Sequence, residues 1–295
     1  MQAAILGGRP TNDVDTPIAA VLIACFIALA ATHMTIHLSN KRQFNRFFRP
    51  TLMTFGFCMT RIVALILRIV WANRPHSKNI TIAATVFASA GVLLLFVINL
   101  IYAHRVWLGY QSRSRTHLVG PAMWILRGLI FMVISIMIIV ITFTIISFLT
   151  TNPDLLHKAR TAQRVGGTVM AVIAFLPLPT VLLSAALPHP AGYKLFGAGK
   201  MPTKLVVVAI AATLLSLGAS FRSGTSFLPR PAGQPAWYHH KACLYVFNYG
   251  LEMMVVVLFA VSRADRLFYI EDEVSKPVAG SEETLAVAEV EKTQT

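Results

Sequence analysis

Seven long apolar segments constrain this chain more than any other feature of its sequence. Each holds about 20 residues, the length that an α-helix needs to cross the hydrocarbon core of a bilayer. The 295 residues are 56% hydrophobic and only 13% charged, whereas soluble domains carry about 25% charged residues. The strands of a membrane barrel would show short alternating segments, and these are continuous. We therefore predict an all-α polytopic membrane protein with seven transmembrane helices.

The predicted helices end where apolar residues give way to charged or turn-forming ones. Residues 1–16 form a short N-terminus, residues 17–266 the bundle, and residues 271–295 an acidic tail whose composition is typical of disorder. Pro177 and Pro179 are expected to kink the fifth helix, and residues 150–164 and 222–236 are interpreted as loops. The predicted helices are Pro17–Leu38, Thr51–Trp71, Ile80–Tyr102, Pro121–Leu149, Val165–Leu187, Thr203–Phe221 and a last one within Trp237–Arg266.

The distribution of Lys and Arg predicts the orientation. These residues are most frequent in the connections after helices 1, 3 and 5, above all between Ser39 and Pro50. The positive-inside rule then places the N-terminus outside and the C-terminal tail in the cytoplasm. The expected location is the plasma membrane or another membrane of the secretory pathway. The sequon at Asn79 falls on the outer side, close to the bilayer, so we expect little glycosylation there.

The net charge of +14 favours contact with anionic lipid head groups. No basic stripe is interleaved with stacking aromatic residues, so a nucleic-acid partner is not expected. The expected partners are the lipid bilayer, a candidate small-molecule or lipid ligand, and a candidate cytoplasmic partner of the loops and tail.

Glu252 is the one acidic residue inside the seven apolar segments, and it lies about 15 Å into the last helix. Arg61 lies at a matching depth in the second helix. A charge at the bilayer centre costs about 2.5–3.5 kcal/mol on insertion scales, and pairing removes much of that cost. We therefore predict that Arg61 and Glu252 meet inside the bundle. Asn248, one turn from Glu252, is expected to complete a polar patch.

Other polar residues in the apolar segments have simpler interpretations. Arg68 and Arg127 lie near helix ends, where long side chains reach the head groups. His33 and His37 are four residues apart, and two ligands do not make a metal site. Hydrogen bonds to a neighbouring helix explain them better.

Catalytic patterns are missing from the sequence. Between Thr16 and Gly250 the only acidic residue is Asp154, which excludes a pair of catalytic carboxylates there. No HExxH or GxSxG motif occurs, and the loop containing Lys200 departs from a phosphate-binding loop. We therefore expect no enzymatic activity, no cofactor and no metal.

Six segments of the chain carry a resemblance to a known family. They are His33-Met34, GFCMTRI at Gly56–Ile62, LRIVW at Leu67–Trp71, AGVLLLFVINLI at Ala90–Ile101, WYHHKACLYVFNYGLE at Trp237–Glu252 and RADRLF at Arg263–Phe268. Together they resemble a family of fungal seven-helix integral membrane proteins whose domain has no known function. The resemblance covers most of residues 15–270 and implies the topology and a fungal origin, but no activity. The similar segments contain all four candidate patch residues, Asn99, Arg61, Asn248 and Glu252.

Three hypotheses for function remain open at this point. The first is a receptor or sensor in which the Arg61–Glu252 patch holds one of two helix arrangements. The second is a transporter or translocator of a small molecule or lipid, with the patch on the substrate path and the kink of the fifth helix as a hinge. The third is a structural membrane protein in which the ion pair clamps two helices together.

Overall fold

The computed structural model describes residues 4–44, 48–110, 119–186, 196–231 and 233–270. Within these ranges the chain forms helices and no strand. Seven helical stretches are long and apolar enough to cross a membrane, as predicted. We number them helix 1 to helix 7. They are Asp15–Phe44, Arg49–Asn73, Lys78–Tyr110, Val119–Leu149, Pro153–Ala186, Met201–Phe227 and Lys241–Val261.

Consecutive helices run in opposite directions, so the bundle has two ends. We call the end where helix 1 begins the N side and the end where helix 7 stops the C side. Which side faces the cytoplasm stays a prediction from loop charge. The predicted acidic tail, residues 271–295, and most of the loop after helix 5 lie outside the described residues.

Three spanning helices contain an irregularity. Helix 3 consists of Lys78–Ala90 and Val92–Tyr110, separated at Gly91. Helix 5 consists of Pro153–Phe175 and Pro177–Ala186, so the break falls at the expected proline, because proline removes one backbone donor. The first half of helix 7 contains the wider π-helical segment Tyr245–Gly250. Such segments occur often at functional sites.

Two predicted loops are partly helical. Helix 5 begins at Pro153 instead of Val165, because Asn152 caps it: its side chain accepts a hydrogen bond of 2.9 Å from the amide of Asp154. Helix 6 continues to Phe227 instead of ending at Phe221. It stops just before Leu228, the residue that precedes Pro229, as the steric effect of proline requires. This extension moves Arg222 from a loop into the helix.

The core is formed mainly by helices 1, 2, 3, 6 and 7. Phe57, Tyr102, Val255 and Phe259 are among its buried side chains. Helix 4 lies at the periphery, against helices 3 and 5. Its large apolar side chains, such as Trp124 and Phe131, are exposed, which suits a surface in contact with acyl chains.

Helices 6 and 7 approach closely at Gly218. A Cβ atom at this position would lie 2.9 Å from the backbone oxygen of Phe247 and 3.7 Å from Cδ1 of Leu251. Small residues allow helix backbones to approach in this way. The contact holds the N-side halves of the two helices together.

We predict that Gly218→Ala lowers the free energy of unfolding by about 1–3 kcal/mol, because the new methyl group must displace helix 7. Unfolding of the purified protein in mixed detergent and dodecyl sulfate micelles would measure the change. Gly224→Ala in the same helix is the control, since no atom lies within 4 Å of its added Cβ. Equal effects of the two substitutions would contradict the close helix contact.

Candidate functional site

Arg61 and Glu252 meet in the centre of the bundle. Nη2 of Arg61 donates to Oε1 of Glu252 at 2.7 Å and lies 2.6 Å from Oε2. The two side chains are 0% and 2% exposed. The ion pair thus joins helix 2 to helix 7 where the bilayer is least polar, which is the position expected from the matched depths of the two residues.

Arg222 is a third charged member that the sequence analysis missed. Its Nη1 donates to Oδ1 of Asn248 at 2.9 Å and to Oε1 of Glu252 at 3.1 Å. The predicted loop began at this residue, and only the extension of helix 6 to Phe227 brings it to the pair. We call Arg61, Arg222, Asn248 and Glu252 the central cluster. It holds two cations and one anion.

The interruption of helix 3 makes room for Arg61. A Cβ atom at Gly91 would lie 2.7 Å from Oγ1 of Thr60 and 3.3 Å from Cζ of Arg61. Nη1 of Arg61 donates to the backbone oxygen of Ala88 at 2.7 Å, just before the break. The central cluster therefore connects helices 2, 3, 6 and 7.

Asn99, also predicted for the patch, is not brought to it. Its side chain is buried, and neither amide atom has a hydrogen-bond partner among the described residues. It lies on the part of helix 3 that follows the break at Gly91, further toward the C side than Ala88. A role for Asn99 in ligand binding stays a prediction.

A second charged cluster lies on the N side, and it corrects the interpretation of Arg68. Instead of reaching the head groups, Arg68 is 7% exposed and donates to Oδ1 of Asp15 from Nη2 at 2.7 Å and from Nε at 2.9 Å. Nζ of Lys241 lies 2.5 Å from Oδ2 of Asp15. Tyr245 donates to Oδ1 at 2.8 Å. We call Asp15, Arg68, Lys241 and Tyr245 the N-side cluster.

The segment before helix 1 covers the N-side cluster. The amide of Gly7 donates to the backbone oxygen of His239 at 3.1 Å, and Nη2 of Arg68 donates to the oxygen of Gly7 at 3.2 Å. Gly7 has a φ of 75°, and a Cβ there would lie 2.5 Å from Leu244. A residue with a side chain does not fit, so glycine allows this segment to pack on helix 7.

The two clusters form one continuous contact between helices 2 and 7. The guanidinium carbon of Arg68 lies 5.6 Å from the centre of the Tyr245 ring, and that of Arg61 lies 5.4 Å from the centre of the Tyr249 ring. The two tyrosine rings are 6.0 Å apart. Cation–π contacts of this kind strengthen when they are removed from water.

The C side carries a smaller polar group. Asn40 donates to Oδ2 of Asp265 at 2.8 Å, and Nε of Arg263 donates to Oδ1 at 3.1 Å. Burial acts to raise the pKa of Asp265, but the hydrogen bonds from Arg263 and Asn40 outweigh it and hold the pKa below its ordinary value.

The ring of His33 confirms the expected helix-to-helix hydrogen bond. Its Nε2 lies 3.2 Å from the backbone oxygen of Val256 in helix 7.

The remaining candidate positions lie apart from these clusters. Asn79 is exposed in the first turn of helix 3, and its glycosylation stays a prediction. Arg127 is exposed, with its guanidinium carbon 5.3 Å from the centre of the Trp124 ring. No group of three or more His, Cys, Asp or Glu residues suited to a metal occurs in the described ranges.

Seven apolar helices with charged side chains paired in their interior define a multi-pass membrane protein. A family model described as "Protein of unknown function (DUF3112)" matches residues 197–269, which include helices 6 and 7. The match confirms the resemblance to a family of unknown function over this part of the chain, and fungal origin stays a prediction. No curated protein and no solved structure shows a significant similarity to the chain.

We predict that Asp15 and Arg68 are energetically coupled. Asp15→Asn should lower the free energy of unfolding by about 3 kcal/mol, because it leaves the buried Arg68 and the partly exposed Lys241 without their anion. A double-mutant cycle with Arg68→Gln should give a coupling energy of about 1–3 kcal/mol in detergent unfolding experiments.

The control is Asp13→Asn, which removes the same charge from an exposed neighbouring position. Its effect should stay within about 0.5 kcal/mol. A coupling energy near zero would mean that Arg68 does not depend on Asp15 and would restore the head-group interpretation.

Proposed function

We propose that this protein is a receptor-like sensor in which the central cluster holds one of two arrangements of helices 6 and 7. The observation that carries the proposal is the pair of guanidinium groups that share the single carboxylate of Glu252. Arg61 is fixed by Ala88 and by Glu252, whereas Arg222 is 23% exposed and reaches the carboxylate from the edge of the cluster.

The geometry gives these two arrangements a physical basis. Arg222 and Arg61 repel each other, and among the described residues only Glu252 and Asn248 accept hydrogen bonds from the Arg222 side chain. A signal that moves Arg222 away from Glu252 loosens helix 6 from helix 7 while the Arg61–Glu252 pair stays closed. The π-helical segment next to Asn248 supplies a place where helix 7 can change its winding.

The enclosure of Arg61 and Glu252 argues against a transport path, and the partial exposure of Arg222 argues against a fully packed clamp. A transporter needs its site to open to both sides in turn, and here the Arg61 and Glu252 side chains are enclosed.

We further propose that the protein has no catalytic activity and that a cytoplasmic partner contacts its loops and tail. The proposal also includes residence of the protein in the plasma membrane or another membrane of the secretory pathway.

Transport is kept as a second candidate because of helix 5. The break between Phe175 and Pro177 divides this helix into two parts. The first part packs against helices 4 and 6, and the second packs against helices 3 and 6. A hinge at this position would let one part of the bundle move relative to the other. In that case the central cluster would lie on the path of a small molecule or lipid.

Glu252→Gln tests the switch directly. The amide keeps the shape of the side chain and removes the only anion of the cluster. Amide hydrogen exchange in residues 218–227 and 241–252 should become about tenfold faster or more, which corresponds to a loss of about 1.4 kcal/mol. The C-side half of the bundle should keep the exchange rates of the unmodified protein.

Asp265→Asn is the matched control, since it also converts a buried carboxylate to an amide. Its effect should be confined to the C side. A uniform rise of exchange in Glu252→Gln would identify the pair as a structural clamp, and no change would show that Glu252 does not control helices 6 and 7.

Thiol accessibility separates the sensor from the transporter. Asn248→Cys is made in a variant without Cys25, Cys58 and Cys243 and treated with a charged, impermeant thiol reagent. We expect modification in vesicles of one orientation only, because a sensor site opens to one side. Modification from both sides would favour transport, and protection from both sides would favour the clamp. The parent variant without cysteines measures the background.

A further inference from the structure

The central cluster carries more positive charge than its protein groups neutralise. Arg61 and Arg222 both contact Glu252, and Asn248 contributes only a neutral oxygen. No other ion pair of either arginine exists in the described part of the chain. Because an uncompensated charge in a nonpolar environment is costly, one further anionic group at the cluster would be stabilising.

Among the described residues, one edge of the Arg222 guanidinium has hydrogen-bond partners and the other edge has none. All its hydrogen bonds to described residues leave from Nη1. Nε and Nη2 lie together on the opposite edge, and their parallel N–H groups match the two oxygens of a carboxylate or phosphate. By contrast, Arg61 donates from both Nη atoms, and its Nε is buried.

This edge is also the part of the cluster that a ligand can reach. The Arg222 side chain is 23% exposed, against 0% for Arg61 and 2% for Glu252. Arg222 lies five residues before the end of helix 6 at Phe227, or about 7.5 Å along the helix axis. Its Cα therefore lies in the N-side half of helix 6, between the contact with Glu252 and the N-side surface of the bundle.

We propose that the Nε–Nη2 edge of Arg222 binds a phosphate group, supplied either by a lipid headgroup or by a soluble phosphate. The phosphate completes the charge balance of the cluster from the edge of Arg222 that does not contact Glu252, and its charge weakens the attraction between Arg222 and Glu252. Binding itself needs only the geometry of Arg222, whereas its effect on helices 6 and 7 rests on the proposed sensor function.

The test uses the full-length protein in dodecyl maltoside micelles, which contain neither phosphate nor carboxylate groups. One series adds inorganic phosphate at constant ionic strength, and a second adds phosphatidic acid to the micelles. The melting temperature is followed in both. A rise in the first series identifies a soluble phosphate as sufficient, and a rise in the second alone identifies the lipid headgroup.

Three variants define the site. Arg222→Gln should weaken the apparent affinity by about tenfold or more, because it removes a charge-assisted bidentate contact. Arg222→Lys keeps the charge without the planar edge and should weaken the affinity by several fold. Arg164→Gln is the control, because Nε of Arg164 already donates to the oxygen of Ser226 at 3.0 Å near the same end of helix 6.

The proposal fails if neither series raises the melting temperature, or if the Arg222 variants respond like the unmodified protein. If Arg222→Gln does not fold, Arg222→Lys decides alone: an unchanged affinity would rule out recognition by the planar edge. The exchange experiment on Glu252→Gln contains no phosphate. Its failure would remove the switch and leave this site standing, while failure here would leave the switch intact.

Discussion

A charge inside a bilayer needs a partner, and this requirement fixes how helices 1, 2 and 7 lie against one another. Arg61 and Arg68 are seven residues apart on helix 2, two turns along one face, so both point toward the same neighbours. Each meets a carboxylate there: Glu252 from helix 7 and Asp15 from the start of helix 1. A rotation of helix 2 would break both ion pairs at once.

The irregularities in helices 3 and 7, and the turn at Gly7 before helix 1, lie where these charges need space or partners. Gly91 interrupts helix 3 beside the guanidinium of Arg61, and Ala88 supplies an acceptor there. The π-helical segment of helix 7 lies between Tyr245, which contacts Asp15, and Glu252. Gly7 lets the segment before helix 1 pass over the N-side cluster. These features would weaken a regular helix bundle, and here each accommodates a buried polar group.

The sequence predicts the seven helices and the meeting of Arg61 with Glu252, because apolar length and matched depth are both local properties. The helical position of Arg222 could not be predicted, because the small and polar residues after Phe221 resemble a loop. The stop signal of Pro229 was the better guide to the end of helix 6. The burial of Asp15 could not be predicted either, because Asp15 precedes the apolar segment and its burial depends on how residues 4–14 pack. Irregular winding in helix 7 follows from tertiary contacts that no sequence pattern encodes.

Stability alone is a weak explanation for the charges of the central cluster. Replacing a buried ion pair by apolar residues of similar volume is often neutral or stabilising, so seven helices of this composition need no Arg61–Glu252 pair to fold. A charged pair does distinguish sharply between helix arrangements, because a small displacement leaves an unpaired group in a nonpolar environment. The second arginine at Glu252 strengthens this reasoning. A clamp needs only one cation to pair with Glu252. Here the carboxylate is shared between a fixed Arg61 and a partly exposed Arg222. In the proposed function, the Arg222–Glu252 contact is the one that another anion can replace.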